Sequence, residues 1–214
     1  MNNQPSPQPA KRFTVPTVTT DPMHWLIEAQ QAASRQDDPM ARFAILSTID
    51  EQGYPRSRTI TLRHIDAVEL HFAVNVNSPK TNQLLNVKKY ELIFVWPTLV
   101  EQYRLRGGFK LEQNQQTRQG WQQKPVASQL NDFIYEFELN QSSTIASREI
   151  LHQALQTVKH RDPNDLAVIP ANAVSLILTP NYVEAWKNDP VDRLHQRYCF
   201  QRQQQSWQHE LLVP

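Results

Sequence analysis

The sequence predicts an α+β fold, an antiparallel β-barrel with peripheral helices, and three features in chain order predict it. Short strand-like runs crowd the first half of the 214 residues, helix-like runs fill the middle, and strand-like runs return at the end. No internal repeat interrupts that order.

Each element has a local cause. Residues 1–20 are rich in Pro, Gln, Asn and Thr, and they predict an N-terminal disordered arm ahead of one domain over 21–214. Asp21 and Pro22 supply an N-cap and a first helical position. Trp25, Leu26, Ala29, Ala32 and Ala33 give that helix its apolar stripe, and it ends near Pro39. Strands are predicted at Phe43–Ile49, Ser57–Arg63 and Val68–Val74, with Gly53 in the first turn. In the second strand Ile60 and Leu62 alternate with Thr59, Thr61 and Arg63. A short surface helix is expected over 79–88, then strands over Glu91–Trp96 and Gln102–Arg106. Helices are expected over Gln113–Ala127, Gln129–Leu139 and Ser143–Lys159. Four more strands come after them, at Val174–Thr179, Tyr182–Trp186, Arg197–Gln201 and Trp207–Leu212.

Composition narrows the function. Hydrophobic residues make up 39% and charged residues 20%, enough for a packed core, and the formal net charge is +1. That balance gives no field for steering onto nucleic acid, and Lys88, Lys89, Arg104 and Arg106 lack interleaved aromatics. Cys199 is the single cysteine, which excludes an internal disulfide and a cysteine-based metal site. With no apolar h-region in residues 1–13 and no membrane-length apolar run, a cytoplasmic location is expected. His24, His64, His71, His152, His160 and His209 show no metal-ligand spacing. No G-x-S-x-G elbow surrounds Ser142 or Ser143, so a serine nucleophile is not indicated. Only four glycines occur, at 53, 107, 108 and 120, and no glycine-rich phosphate loop can be written. A nucleotide phosphate must therefore be held by side chains.

Several motifs carry that chemistry. Trp186 is followed by Arg193-Leu194-His195-Gln196-Arg197, Tyr198, Trp207 and a chain end at Leu212-Val213-Pro214. Earlier come Arg58-Thr59-Ile60-Thr61-Leu62-Arg63, Phe72-Ala73-Val74-Asn75, Ser78-Pro79-Lys80 and Trp96-Pro97-Thr98-Leu99-Val100-Glu101-Gln102. Lys124-Pro125-Val126-Ala127-Ser128-Gln129 and Gln141-Ser142-Ser143 complete the set. Alone, R-x-H-x-R reads as a polar strand face; the ordered set, from Asp21 to Pro214, resembles the pyridoxamine 5'-phosphate oxidase family.

The resemblance implies an FMN-binding split barrel, a homodimer, and an oxidase that passes hydride from a substrate carbon to flavin and then to O2. The implied substrate is pyridoxamine or pyridoxine 5'-phosphate, with pyridoxal 5'-phosphate and H2O2 as products. FMN contacts fall by resemblance on Arg58, Arg63, Lys80, Gln102, Gln141, Ser142, Trp186 and Arg197. Arg fits a phosphate through its planar fork and Lys as a point charge, while the amides suit the flavin edge. Substrate contacts fall on Arg63, Lys124, Ser128, Arg193 and His195, the last two also carrying catalysis. Arg193 and His195 are expected on one face of an extended segment, and Arg197 continues that face. The sequence also departs from the family. Gly120 stands where the family has a substrate-binding Tyr, Pro79 replaces an Arg beside the FMN phosphate, and Val168–Val174 replaces W-G-G-[YF]. The N-terminal Arg-x-x-Tyr is absent from residues 1–20. These departures keep two alternatives open: an oxidase of another ring substrate, of phenazine type, or a flavin- or pyridoxal-phosphate-binding protein without turnover.

Overall fold

The structure is a computed structural model that describes residues 21–204 and 206–214, so the expected arm, 1–20, lies outside the described residues. Helix α1 (Pro22–Arg35) starts where Asp21 accepts a hydrogen bond from the Met23 backbone N–H at 2.8 Å, with Pro22 in the first turn. Its inner face is Met23, Leu26, Ala29 and Ala33. Trp25 packs edge-on against Tyr198 and Phe200, with ring centroids 5.9 and 5.1 Å apart.

Six strands close the barrel. They are β1 (Phe43–Ile49), β2 (Pro55–Ile65), β3 (Leu70–Asn75), β4 (Glu91–Trp96), β5 (Glu101–Glu112) and β6 (Ala173–Lys187). Helix α2 (Pro79–Val87) links β3 to β4. The order is β3-β2-β1-β4-β5-β6, every pairing is antiparallel, and β3 pairs β6 to complete the ring. Helices α3 (Gln115–Gln122), α4 (Val126–Phe137) and α5 (Arg148–Lys159) lie between β5 and β6 in the chain. Strands β7 (Gln196–Gln203) and β8 (Ser206–Leu211) extend the sheet beyond β6.

The inward positions explain the closure. Leu46, Phe72, Phe94, Trp96, Leu105 and Leu176 are fully buried and fill the barrel. Each such side chain contributes roughly 1.5–3 kcal/mol of transfer free energy, so the filled barrel holds the strands in register. A smaller core of Trp121, Phe133, Ile134, Ala154 and Val158 binds the middle helices to one another.

Two irregularities shape the barrel wall. On β2, Leu62 opposes Phe72 but His64 opposes His71, so Arg63 is the extra residue of a bulge. On β6, Arg106 opposes Tyr182 but Gly107 opposes Pro180, which leaves Asn181 as the extra residue. Gly107 is required there: a Cβ on it would lie 2.2 Å from the Thr179 carbonyl oxygen and 2.8 Å from the Asn181 nitrogen. The two strands expected at Val174–Thr179 and Tyr182–Trp186 are thus one strand, kinked at a bulge instead of broken at Pro180.

Other boundaries also move. Strand β5 runs on through Gly107 and Gly108 to Glu112, the third helix stops at Gln122, and α5 starts at Arg148 instead of Ser143. The 188–195 segment is a loop, with Arg193 in the left-handed region at φ 63°. Arg193 and His195 therefore do not share a strand face with Arg197, which alone of the three is on β7. The loop is held by Asp189 and Asp192, whose carboxylates accept from the backbone N–H groups of Val191 and Leu194.

Candidate active site

Two clefts meet around the start of α2. The first, of about 680 Å³, is lined by Arg56, Arg58, Asn82, Gln83 and Ser142, with Pro79 at its edge. The second, of about 610 Å³, is lined by Arg42, Arg63, Lys80, Lys124, Ser128 and Gln141. Consecutive residues divide between them: Pro79 and Lys80 on α2, and Gln141 and Ser142 on the turn before α5. Seven of the expected site residues are gathered here, from five separate segments of the chain.

Arg58 and Lys80 are built in, not loosely solvated. Arg58 donates to Thr48 Oγ1 at 2.6 Å and to Gln83 Oε1 at 3.1 Å, a clamp of neutral acceptors. Lys80 donates to Ser78 Oγ at 2.9 Å, and Ser78 is itself buried and bonded to the Asn75 carbonyl. Among the described residues, no carboxylate lies within ion-pair distance of Arg58, Lys80 or Arg63. Burial pulls the Lys80 ammonium down to about 8, with the Arg58 charge adding to the effect. Burial also lowers Arg58, with Arg56 adding. Partly buried cations that repel each other and lack a counter-ion call for an anionic ligand. Gln141 Oε1 is buried without a hydrogen-bond partner, an acceptor left for a donor group. Ser142 is held at φ 71°, an uncommon backbone for a residue other than glycine.

Lys124 is differently placed. Its Nζ lies 2.6 Å from Asp132 Oδ2, which also accepts from Trp121 Nε1 at 2.9 Å. Asp132 thus fixes the lysine and the tryptophan together. At Gly120, one residue earlier than Trp121, an added Cβ would meet nothing within 4 Å, so the position expected to carry a Tyr is open space.

The remaining expected residues form a second group that lines neither cleft. Gln102, Trp186 and Arg197 are successive cross-strand partners on β5, β6 and β7. The His195 ring stands 4.9 Å from the Trp186 ring, and Arg193 is exposed on the loop. Arg197 Nε donates to Glu184 at 3.0 Å, and Arg104 reaches the same carboxylate oxygen at 3.4 Å. Burial works against the Glu184 charge, but Arg197, Tyr182 and Arg104 outweigh it and hold the carboxyl below its usual range. No motif points to Glu184, Arg42 or Asp132. The available signal for Glu184 is its spacing: two residues before Trp186 on a strand, it shares that residue's face.

Fold and site together define a split-barrel protein with two clefts lined by cations. Residues 31–162 match the family described as pyridoxamine 5'-phosphate oxidase, and 175–214 match the pyridoxine 5'-phosphate oxidase C-terminal dimerisation region. The chain belongs to the pyridoxamine 5'-phosphate oxidase family. It is 30% identical over 181 residues to the pyridoxine/pyridoxamine 5'-phosphate oxidase of Legionella pneumophila (strain Lens), covering 85% of this chain and 81% of that one. With pyridoxine/pyridoxamine 5'-phosphate oxidase 1 of Hydrogenovibrio crunogenus it shares 31% over 198 residues, 91% of this chain and 89% of the other. The fold is similar to PhzG from Burkholderia lata 383, solved with tetrahydrophenazine-1-carboxylic acid, at a TM-score of 0.77 and 21% identity over 91% and 93% of the two chains. It is also similar to a pyridoxamine 5'-phosphate oxidase-related, FMN-binding protein from Nostoc punctiforme, at a TM-score of 0.68 and 20% identity over 92% and 100%.

Proposed function

We propose that the protein is an FMN-dependent oxidase acting on pyridoxamine or pyridoxine 5'-phosphate. The observation that carries this reading is the pair Arg58 and Lys80, without carboxylate partners among the described residues, beside Ser142 and Gln141 and adjoining Arg63, Lys124 and Ser128. Arg58, Lys80 and Ser142 hold the FMN phosphate, Gln141 and Gln102 meet the ring edge, and Trp186 walls it. Arg63 contacts both ligands, and Lys124 and Ser128 take the substrate phosphate. FMN, when bound, would supply the redox chemistry, as hydride acceptor from the substrate's C4' carbon with O2 as final oxidant and H2O2 as its product. The protein's part is orientation and charge. Arg193 and His195 flank the substrate. His195 Nδ1 accepts from the Asp189 backbone N–H at 3.4 Å, so the neutral ring keeps its proton on Nε2.

The reading includes a homodimer, because the Gln102–Trp186–Arg197 group lines neither cleft of its own protomer. Val191, Leu194, Leu211 and Val213, all within the matched dimerisation region, are 68–88% exposed, and such apolar side chains suit contact with a second copy. A cytoplasmic location belongs to the same reading; no helix among the described residues is long and apolar enough to cross a membrane.

A second substrate class has one observation in its favour. The open space at Gly120 suits a broader ring, of phenazine type. One experiment separates the possibilities. The purified protein is expected to carry FMN, and anaerobic pyridoxamine 5'-phosphate is expected to bleach its absorbance. FMN uptake without bleaching overturns the substrate; no FMN uptake overturns the flavin reading. A monomer by light scattering with FMN fully bound overturns the dimer.

A further inference from the structure

We propose that Arg42 and Arg63 together form a phosphate-binding subsite in the second cleft, with Arg42 supplying the donor that Gly120 cannot. This rests on the substrate reading above and deepens it, because it adds a residue that neither the motifs nor the family match assigns.

Arg42 precedes β1, and its carbonyl accepts from the Leu62 backbone N–H at 2.8 Å. That bond sets Arg42 across from Leu62, one residue from Arg63. Arg63 is the bulged residue of β2, and bulges re-aim a side chain out of the regular alternation. Both side chains line the same cleft.

Charge then points to the ligand. The cleft wall carries four cations, Arg42, Arg63, Lys80 and Lys124, and one carboxylate, Asp132. Asp132 is already committed, since one of its oxygens accepts from both Lys124 and Trp121. Among the described residues neither Arg42 nor Arg63 has a carboxylate within ion-pair distance. The two guanidinium groups feel each other: desolvation lowers Arg63 first, Arg42 lowers it further, and Asp132 opposes both. Two guanidinium groups on one cleft wall, without carboxylate partners among the described residues, suit a phosphate monoester, whose terminal oxygens accept from such forks. At Gly120 the wall offers no side chain and leaves room for that group.

The test uses the FMN-saturated protein and equilibrium dialysis with pyridoxal 5'-phosphate, so that the readout is binding and not turnover. R42A is expected to weaken binding about five- to tenfold, the scale of a partly solvated hydrogen bond to a charged group. R42K, which keeps charge but loses the fork, should recover only part of it. Inorganic phosphate should compete with pyridoxal 5'-phosphate on the wild type and about five- to tenfold less well on R42A. Pyridoxal without phosphate should bind both proteins equally. If R63A loses binding and R42A stays within twofold of wild type, the Arg42 assignment is overturned while the substrate reading stands. If wild type with FMN bound shows no saturable binding of pyridoxal 5'-phosphate, both fall. Arg42 is exposed, so neither variant threatens the core; an unchanged urea midpoint confirms this.

Discussion

Lys80 offers a test of the flavin site that needs no substrate. Burial, with help from Arg58, lowers its ammonium from an ordinary 10.5 to about 8. Holding that charge in the cleft therefore costs about 3 kcal/mol, taking 1.36 kcal/mol for each tenfold step in the proton equilibrium. A phosphate dianion beside the ammonium favours the charged form and returns the value toward 10.5 or above. Binding is then linked to proton uptake at any pH between the two values. FMN affinity should be level near pH 7, bend at about pH 8, and fall up to tenfold per pH unit above it. The folded protein without FMN should move the other way. Its Lys80 value is depressed, so the penalty is present in full below about pH 8 and is relieved as pH rises toward 10.5, and stability rises across that window.

Two variants isolate the cause. K80R keeps its charge over the whole range, so its FMN affinity should show no bend. K80M should bind FMN about 1.5–3 kcal/mol more weakly at pH 7, the scale of a charge-assisted hydrogen bond, and also show no bend. Quenching of FMN fluorescence, titrated from pH 7 to 9.5, gives the constants. Equal wild-type affinity at both ends, or the same bend in K80R, refutes the assignment of Lys80 to the phosphate.

Two further predictions concern the scaffold. Replacing Gly107 by Ala should lower stability by about 1–3 kcal/mol or more, because the new methyl meets Thr179, Pro180 and Asn181 backbone at 2.2–2.8 Å, while Gly108→Ala, with nothing within 4 Å, should be mild. Urea midpoints decide it, and equal midpoints for the two variants would remove the argument. E184Q leaves Arg197 without its buried counter-charge, while Arg104 keeps Glu91 at 2.8 Å; it should cost about 1–3 kcal/mol, below the value for fully buried pairs because Arg197 is about 30% exposed. If Arg197 touches FMN, E184Q should also shift the flavin's reduction potential, a change that a purely structural role for Glu184 would not produce.

Much of the fold can be read from the chain because alternation and apolar runs obey local rules. FAILSTI and ELIFVW give β1 and β4 with the expected limits, and Ile60 and Leu62 face the core as the period of two requires. The failures sit where tertiary contacts override local signals. The expected strands stop at Arg106 and Thr179, short of the Gly107-Gly108 pair and Pro180, yet Gly107 opposes Pro180 at a bulge that lets both strands continue. R-x-H-x-R reads as a strand face, yet Asp189 and Asp192 turn the preceding loop and only Arg197 enters β7. The cleft residues are reachable only through the ordered motifs. Arg58, Lys80 and Gln141 are ordinary polar residues in their own segments, and only the closed barrel brings them to adjoining walls. Arg42, Asp132 and Glu184 carry no motif at all, since their roles depend on which charges the fold places beside them.

The geometry of β6 explains why the site residues fall into two groups. Residues 173–178 of β6 pair with β3 and close the barrel, and Ala173, Val174 and Ser175 line the second cleft. Residues 182–187 leave β3 behind and pair with β7, which places Trp186 beside Arg197. Eleven residues separate Ser175 from Trp186, and a strand rises about 3.3 Å per residue, so the two points lie up to roughly 36 Å apart along one strand. The bulge at Asn181 bends that path without folding it back, because β5 stays paired on both sides of the bulge, from Glu101 to Glu112. Continuous pairing with β5 thus holds Trp186 away from the Ser175 wall of the second cleft within one chain. In the two-fold dimer proposed above, the sheet extension of one copy would face the clefts of the other while both barrels remain closed. In that dimer the strand that separates the two groups within a chain would also set their spacing across the pair.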